Sequence, residues 1–239
     1  MCKLILIRHG QSEWNLENRF TGWVDVNLAP NGKLEACKSG ELIKEQKINI
    51  DYFFTSYQKR ALETLKLILN TLRIKEHKII RAWQLNERHY GALTGLNKDE
   101  MKKKLGEQKV HEFRRSWNVA PEPLNKNNPY HPINIKAYKD IPKENIPNTE
   151  SLKNTYERAF PYFEKEIMPK LKDKKNVLIS AHGNSLRAIC MYLFKLDENQ
   201  ITQLEIPTGN PLFINFNSKL EIIKCLYLDK ERAKDLIVF

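Results

Sequence analysis

The feature that most constrains the fold of this chain is the alternation of short apolar runs with amphipathic segments. Short segments rich in β-branched or aromatic residues occupy positions 4–7, 52–54, 78–80 and 177–179, and each is interpreted as a strand; the continuous apolar run at 4–7 predicts burial on both faces. Apolar residues at helical spacing follow three of these runs, at positions 33–46, 62–72 and 186–193. This alternation predicts an α/β fold with a mainly parallel sheet. Two later runs, 212–214 and 222–223, are close enough together to form an antiparallel pair.

A long interruption separates the third and fourth predicted strands, at about residues 82–150. Its later half contains prolines at positions 121, 123, 129, 132, 142 and 147, and its apolar periodicity is weak. Such a segment in a compact domain is usually a lid, a binding loop or disordered. The 239 residues, 41% of them hydrophobic, suit one domain over residues 1–239 that carries this insertion.

The chain is strongly basic, with 40 Lys and Arg residues against 29 Asp and Glu residues and a formal net charge of +11. This excess fits an anionic small-molecule substrate, nucleic acid or a merely solvated surface. Nucleic acid is the least supported of the three, because no arginine-rich tail, zinc-ligand spacing or RNA-binding aromatic signature accompanies the charge.

The cysteines and the N-terminal segment bear on the cellular compartment. The four cysteines are scattered at positions 2, 37, 190 and 225 without a CxxC pair. This pattern argues against disulfides and metal sites and favours a reducing compartment. The first apolar run ends at Arg8, too early for a secretory signal or a membrane span. We therefore expect a soluble cytoplasmic protein that does not associate with membranes.

Two histidines follow predicted strands in the same way. His9 and His182 each stand at a strand end, and each precedes a glycine, Gly10 or Gly183. Ligands of open α/β sheets bind outside the carboxyl ends of the strands, so both imidazoles are expected at one pocket. A lone histidine in such a place is more often structural or incidental. The repeated arrangement, with glycines that allow close approach of a ligand, favours a functional pair.

Arginines near these positions indicate phosphate as the ligand. Arg8 precedes His9, Arg60 begins the helix after the second strand, and Arg114 and Arg115 are adjacent in the insertion. The planar guanidinium presents a fork of donors that matches phosphate oxygens. Further neutral donors are Ser12, Asn15, Thr21 and Gly22. For Arg114 and Arg115 the alternative is a solvated helix face, which the spacing alone favours.

A histidine beneath an arginine-bound polyanion predicts attack of an imidazole nitrogen on phosphorus. That nitrogen must be neutral, and a backbone carbonyl bonded to the other ring nitrogen would fix the tautomer. A second, protonated histidine would stabilise charge on the transferring group. An acid–base group is also needed, and Glu87, just past the third strand, is the best-placed candidate. The alternative for Glu87 is an ordinary surface glutamate.

Six segments in a fixed order carry a resemblance to a known family. They are Arg-His-Gly-Gln-Ser-Glu-Trp-Asn at 8–15, Phe-Thr-Gly-Trp at 20–23, Leu-Asn-Glu-Arg-His-Tyr-Gly at 85–91, Leu-Thr-Gly-Leu-Asn-Lys at 93–98, Arg-Arg-Ser at 114–116 and Ala-His-Gly-Asn-Ser-Leu-Arg at 181–187. The first resembles the signature of the histidine phosphatase superfamily. Together they resemble the cofactor-dependent phosphoglycerate mutases over about residues 3–216. Arg-His-Gly alone is a weak signal, whereas the six ordered segments are a specific one.

The resemblance implies a three-layer α/β/α sandwich in which the insertion caps the sheet. It implies that His9 is the phosphorylated nucleophile, that Glu87 donates and accepts protons, and that His182 stabilises the transferring phosphoryl group. The residues it implies as contacts of phosphoglycerate are Arg8, Ser12, Asn15, Thr21, Gly22, Arg60, Glu87, Tyr90, Lys98, Arg114, Arg115, Gly183 and Asn184, with Arg8 and Arg60 also catalytic. The implied cofactor is 2,3-bisphosphoglycerate, which primes His9 with phosphate. No metal is implied, because arginines and histidines supply the positive charge.

The implied activity is the interconversion of 2- and 3-phosphoglycerate, so small-molecule phosphoglycerates are the expected partners. A closed cap must then retain the bisphosphate while it reorients, and must exclude water. A phosphatase and a bisphosphoglycerate synthase would share the phosphohistidine and stay open as alternatives. A catalytically dead scaffold is disfavoured because His9, Glu87, His182 and Arg60 are all present, and a basic nucleic-acid binder is the last alternative. The sequence does not fix the oligomeric state; a homodimer or a homotetramer is considered.

Two features depart from the family pattern. Residues 227–239 are short and divergent where family members carry a tail that helps cover the site, and Asn210 stands where an apolar residue is common. The shorter tail predicts more hydrolysis relative to transfer, because water competes for the phosphohistidine. Docking of residues 236–239, Leu-Ile-Val-Phe, as an apolar plug would weaken that effect.

Overall fold

The strands of the computed structural model, which describes residues 1–233, form one sheet. They are β1 (Cys2–Arg8), β2 (Tyr52–Thr55), β3 (Ile79–Arg81), β4 (Val177–Ala181), β5 (Leu212–Phe216) and β6 (Ile222–Tyr227). Their order across the sheet is β3-β2-β4-β1-β5-β6. The first four in this order pair in parallel, and β5 is antiparallel to both β1 and β6. The predicted α/β class and mainly parallel sheet are therefore confirmed.

Helices occupy the connections between the strands. They are α1 (Glu13–Leu16), α2 (Pro30–Glu45), α3 (Lys59–Thr71), α4 (Lys98–Leu105), α5 (Glu107–Arg115), α6 (Leu152–Tyr162), α7 (Met168–Lys172), α8 (Gly183–Phe194) and α9 (Glu198–Gln203). A π-helical turn, Phe163–Ile167, joins α6 to α7. Short 3₁₀ turns span Trp83–Leu85, Gly91–Leu93, Pro132–Asn134, Lys136–Tyr138, Lys143–Asn145 and Glu231–Ala233. Pro30 is the first helical residue of α2, where its fixed φ suits a helix start.

The continuous apolar run of β1 is explained by burial on both faces of the sheet. Leu4 and Leu6 belong to a core cluster that includes residues of α6 and α8, such as Ile189. Ile5 and Ile7 belong to a second cluster with residues of α2 and α3. Successive side chains of a strand point to opposite faces, so a strand covered by helices on both sides must be apolar throughout. The two clusters join the sheet to the helices on its two faces, which gives the three layers of an α/β/α sandwich.

The insertion at residues 82–150 contains α4, α5 and several 3₁₀ turns but no strand. It packs against the loop that follows β1, because the Tyr138 hydroxyl donates to the Trp23 carbonyl and the two rings are 5.1 Å apart. Arg114 and Arg115 end α5. The cap role of this segment and the single-domain organisation over residues 1–239 stay predictions.

Asn210 fixes the chain where it leaves β6. Its buried amide donates from Nδ2 to the Asp229 carbonyl at 2.9 Å and accepts from the Asp229 N–H at 3.0 Å. Arg232 donates to the Thr208 carbonyl at 2.7 Å. An apolar residue at position 210 would leave both groups of Asp229 without these partners. The apolar plug expected at residues 236–239 lies outside the described part of the chain.

Candidate active site

The parallel pairing of β1 with β4 brings the two histidines together. Arg8 lies opposite Ala181, so His9 and His182 follow neighbouring strands at the same edge of the sheet. The His9 backbone N–H donates to the Ala181 carbonyl at 2.9 Å. Both histidines are buried, and their ring centroids are 5.0 Å apart. The two imidazoles therefore lie side by side, and of the two only His9 lines a cavity.

His9 is held in a defined tautomer. Its Nδ1 lies 2.7 Å from the Gly10 carbonyl oxygen, which can only accept, so Nδ1 carries the proton. Its Nε2 then has the lone pair, and Arg60 Nε donates toward it at 3.3 Å. Burial, followed by the charges of Arg60 and Arg8, lowers the pKa of His9 well below its ordinary value. The ring is thus neutral, as nucleophilic attack through Nε2 requires.

His182 contacts a serine that the sequence did not single out for a role. Its Nε2 lies 2.7 Å from Ser56 Oγ, which also accepts the backbone N–H of Gln58. Burial, then the charges of Arg60 and His9, lower the pKa of His182 well below its ordinary value. The protein alone therefore favours a neutral ring, in contrast to the protonated one expected from sequence. A phosphoryl dianion beside the ring would raise the pKa of His182, because a nearby negative charge favours the protonated form.

Arg60 is buried at the start of α3, and its donors face the loop after β1. Nη1 donates to the Val24 carbonyl at 2.8 Å, and Nη2 to the Gly22 carbonyl at 2.9 Å. Gly22 has a φ of +54°, a conformation that favours glycine. Since a guanidinium has five N–H groups, Arg60 retains one on each Nη for a ligand.

Glu87 is buried and bonded to the first turn of α8. Its Oε1 accepts from the backbone N–H of Arg88 at 2.7 Å, and from the backbone and side-chain nitrogens of Asn184 at 3.2 and 2.9 Å. Its own N–H donates to Gln58 Oε1 at 2.9 Å. The carboxylate thus has a fixed place beside the histidines' edge of the sheet, unlike an ordinary surface glutamate.

Two small adjoining cavities, each of about 80 Å³, contain most of the predicted site. The first is lined by Arg8, His9, Asn15, Arg19, Phe20, Thr21, Gly22, Arg60, Glu87, Tyr90, Lys98 and Arg114. The second is lined by Arg8, Glu87, Tyr90, Arg114, Arg115, Gly183, Asn184, Arg187, Glu205 and Ile206. Of the residues predicted from sequence, Ser12 and His182 line neither cavity.

Ser12 is committed to capping α1. Its Oγ accepts the Asn15 backbone N–H at 3.2 Å, and the Asn15 side-chain oxygen accepts the Ser12 backbone N–H at 3.1 Å. This reciprocal pair is a capping box. The capping box uses the Oδ1 atom of Asn15 and so fixes the orientation of this side chain, which lines the first cavity.

The insertion supplies the remaining cations of the site. Burial, with Arg114 and Arg8 nearby, lowers the pKa of Lys98. Arg88 is fully buried and donates to the carbonyls of Phe113 and Arg114, which fixes the end of α5. Arg114 and Arg115 are half-buried and line the cavities, so they do not form the freely solvated helix face that spacing alone favoured.

An acidic side chain stands among these cations. Glu205 forms ion pairs with Arg115 and, at 3.4 Å, with Arg187. Arg187 is buried and also donates to the Leu204 carbonyl at 2.6 Å. The predicted contact residue Arg115 is thus partnered by a carboxylate of the protein.

The site residues that sequence reasoning missed are Ser56, Gln58, Arg187 and Glu205, which contact other site residues across long stretches of chain. Ser56 and Gln58 follow β2 and therefore lie at the same sheet edge as the histidines, a position that offered a signal. Arg187 lies within one of the six matching segments. Glu205 offered none, because it meets Arg115 from 90 residues away.

Solved structures of similar shape share the fold at low sequence identity. The α-ribazole phosphatase from Shigella flexneri superposes with a TM-score of 0.68 at 18% identity, covering 94% of this chain and 95% of that one. A mycobacterial glucosyl-3-phosphoglycerate phosphatase gives a TM-score of 0.67 at 20% identity, covering 94% and 96%. Identities this low support the fold alone.

Sequence comparison is more specific. The model of the histidine phosphatase superfamily (branch 1) matches residues 4–226. The 2,3-bisphosphoglycerate-dependent phosphoglycerate mutase of Pelagibacter ubique (strain HTCC1062) is 69% identical over 239 residues, all of both chains. The enzyme of that name from Hydrogenobaculum sp. (strain Y04AAS1) is 48% identical, over 99% of this chain and 96% of its own. The chain therefore belongs to branch 1 of the histidine phosphatase superfamily, in the family of the 2,3-bisphosphoglycerate-dependent phosphoglycerate mutases.

Proposed function

We propose that this chain interconverts 2-phosphoglycerate and 3-phosphoglycerate through a phosphohistidine at His9 that is primed by 2,3-bisphosphoglycerate. The observation that carries the proposal is the neutral Nε2 of His9 in a small cavity lined by cationic side chains. Two buried polar atoms without a protein partner, Arg8 Nε and Thr21 Oγ1, belong to residues that line the first cavity and suit a ligand with many acceptor oxygens. Full-length relatives with that named activity support the same conclusion.

The chemistry follows from the geometry around His9. His9 Nε2 attacks the phosphorus of a bound phosphate ester, and the bond between phosphorus and the ester oxygen breaks. Nδ1 keeps its proton, which it donates in a hydrogen bond to the Gly10 carbonyl. Arg8, Arg60 and His182 stabilise the negative charge of the transferring group. Glu87 takes the proton of the attacking hydroxyl and returns one to the departing oxygen. When bound, 2,3-bisphosphoglycerate supplies the phosphoryl group that primes His9.

The residues that hold phosphoglycerate in this proposal line the two cavities. They are Arg8, Asn15, Thr21, Gly22, Arg60, Glu87, Tyr90, Lys98, Arg114, Arg115, Gly183 and Asn184, with Ser12 orienting Asn15. Guanidinium forks match both the phosphate and the carboxylate of the substrate.

A coupled assay tests the proposed function. Formation of 2-phosphoglycerate from 3-phosphoglycerate is measured with and without added 2,3-bisphosphoglycerate, and released phosphate is measured in the same samples. We expect turnover that rises on addition of the bisphosphate. Phosphate release without isomer formation would identify a phosphatase instead. The extra hydrolysis expected from the tail stays a prediction that the phosphate measurement addresses.

We expect the activity to be independent of metal ions. Among residues 1–233 no group of three or more His, Cys, Asp and Glu side chains is arranged to hold a metal ion. The proposed chemistry takes its positive charge from Arg8, Arg60 and the lysine and arginines of the insertion. Assays after dialysis against EDTA should give unchanged turnover; a loss that Mn²⁺ restores would contradict this expectation.

Glu205→Gln is expected to tighten binding of phosphoglycerate. The change removes the carboxylate that pairs with Arg115 and Arg187 and frees both for an anionic ligand. Because Glu205 is partly exposed, the expected fall in KM is modest, about two- to fivefold, with kcat little changed. Glu221→Gln, an exposed glutamate at the turn between β5 and β6, is the matched control. An unchanged or higher KM for Glu205→Gln would argue against competition for these arginines.

We also propose a cytoplasmic location and a homodimeric or homotetrameric assembly. In the described part of the chain, no helix combines the length and the apolar character needed to cross a membrane. Phosphoglycerates are the small-molecule partners; no nucleic-acid or membrane partner is proposed.

A further inference from the structure

A buried ion pair lies behind the candidate site, outside both cavities. Arg158, on α6, is 8% exposed and Glu150, just before that helix, is 4% exposed. The pair is bidentate: Arg158 Nε donates to Glu150 Oε1 at 2.6 Å, and Nη2 donates to Oε2 at 2.9 Å. Buried charges of this kind are costly unless every donor and acceptor is used, so the rest of the network is informative.

The remaining N–H groups of Arg158 go to the backbone that carries Glu87. Nη1 donates to the carbonyls of Gln84 at 2.7 Å and Asn86 at 3.0 Å. Nη2 donates to the carbonyl of Glu87 itself at 3.0 Å. Each of the five guanidinium N–H groups thus has an acceptor, which a lysine could not reproduce.

Glu150 holds the same backbone on the other side of Glu87. Its Oε2 accepts the His89 backbone N–H at 2.8 Å, and its own backbone N–H donates to the His89 carbonyl at 2.9 Å. The carbonyls of residues 84, 86 and 87 therefore accept hydrogen bonds from Arg158. The backbone N–H and carbonyl of residue 89 are both hydrogen-bonded to Glu150.

This clamp replaces regular secondary structure. Residues 86–90 belong to neither a helix nor a strand, so no ladder of backbone hydrogen bonds fixes them. Two further side chains bond to Glu87: the Gln58 side chain accepts the Glu87 backbone N–H, and the Asn184 side chain donates to the Glu87 carboxylate. An acid–base group must lie within hydrogen-bond reach of the oxygen it serves. A displacement of about 1 Å can cost on the order of a hundredfold in rate.

We propose that Arg158 and Glu150 are positioning residues for Glu87. They fix the backbone of residues 84–89, and through it the place from which the Glu87 carboxyl exchanges protons with substrate oxygens. Neither residue lines the cavities. The charge of Arg158 also contributes to the lowered pKa of His182, and Arg158→Lys retains that charge, so loss of the guanidinium fork acts through the backbone of Glu87. This inference rests on the proposed function, in which Glu87 is the acid–base group.

The test is a double-mutant cycle between Arg158→Lys and Glu87→Gln, read by kcat and KM for 3-phosphoglycerate. Arg158→Lys keeps the charge and removes the fork. We expect kcat to fall about 10- to 100-fold while KM stays within about twofold. In the Glu87→Gln background the same change should lower kcat by less than about threefold, because the group it positions is already gone. Arg73→Lys, at an exposed arginine, is the matched control.

Different outcomes would overturn the positioning role of Arg158 and Glu150 and the proposed mutase function. Circular dichroism and thermal melting establish that each variant is folded. Glu150→Gln, which retains an acceptor for the His89 N–H, is the milder second variant and should lower kcat in the same selective way. A kcat for folded Arg158→Lys close to wild type, or an equal loss with and without the Glu87 carboxylate, would overturn the positioning role. A wild-type enzyme without mutase turnover would overturn the proposed function instead.

Discussion

Replacement of His9 by alanine is expected to abolish both phosphoglycerate interconversion and any hydrolysis of 2,3-bisphosphoglycerate. Every route in the proposed mechanism passes through Nε2, and removal of a covalent nucleophile typically costs at least about 10⁴-fold in kcat. Incubation with ³²P-labelled bisphosphate should label the wild type on a site that is acid-labile and base-stable, as phosphohistidine is. Label of that stability on His9→Ala would place the phosphoryl group on another residue.

Two further variants test the assignment of the labelled site. His9→Asn keeps an N–H near the position of Nδ1 for the Gly10 carbonyl but lacks Nε2, so it should fold and remain unlabelled. His77→Ala, at an exposed histidine, should label like the wild type.

Because the pKa of His9 is lowered, its neutral form persists below pH 6.5. The acid limb of kcat/KM should therefore not show a His9 titration at the ordinary histidine pKa.

Glu87→Gln is expected to lower kcat by about 100- to 10,000-fold with little change in substrate binding. The amide has the size of the carboxyl, and its oxygen can still accept from Arg88 and Asn184. What disappears is the group that takes up and returns a proton. Because the substitution preserves these contacts, a fall in kcat at constant KM reports proton transfer and not loss of the fold.

Glu100→Gln provides the comparison for this variant, since Glu100 is an exposed glutamate on α4 in the same insertion. It should have wild-type kcat and KM. If Glu87→Gln behaved like Glu100→Gln, proton transfer would have to be assigned to another group. A loss of activity through KM alone would mean that Glu87 binds substrate without moving protons.

The parts of the site that could be predicted from sequence are those that depend on strand ends. The apolar run of β1 indicated a strand buried on both faces, and the polar residues after it had to leave the sheet at its carboxyl edge. His9 and His182 meet because β1 and β4 are parallel neighbours. Resemblance to a known family supplied the rest of the residue set, since neither periodicity nor spacing assigns a role to Lys98 or Arg114.

The parts that could not be predicted are the contacts made across long stretches of chain. Arg158 meets the carbonyl of Gln84 from 74 residues away, and Ser56 meets His182 from 126 residues away. On an amphipathic helix an arginine predicts a solvated face, yet Arg158 is nearly buried. The sequence also does not show how completely the His182 ring is removed from water or how close Arg60 lies, and both lower the pKa of His182 in the protein without ligand.

The central place of β1 in the sheet has a consequence for how the protein is made. Of the six strands β1 is synthesised first, but both of its neighbours in the sheet, β4 and β5, are synthesised only after β2 and β3. Lys3 donates its backbone N–H to the Asn176 side chain, 173 residues later, which takes roughly 10–35 s at common rates of translation. During that time the apolar nascent strand has no sheet partner and can associate with other chains. A truncated product that ends before β4 would contain His9 but neither His182 nor Asn184, so it could not assemble this site.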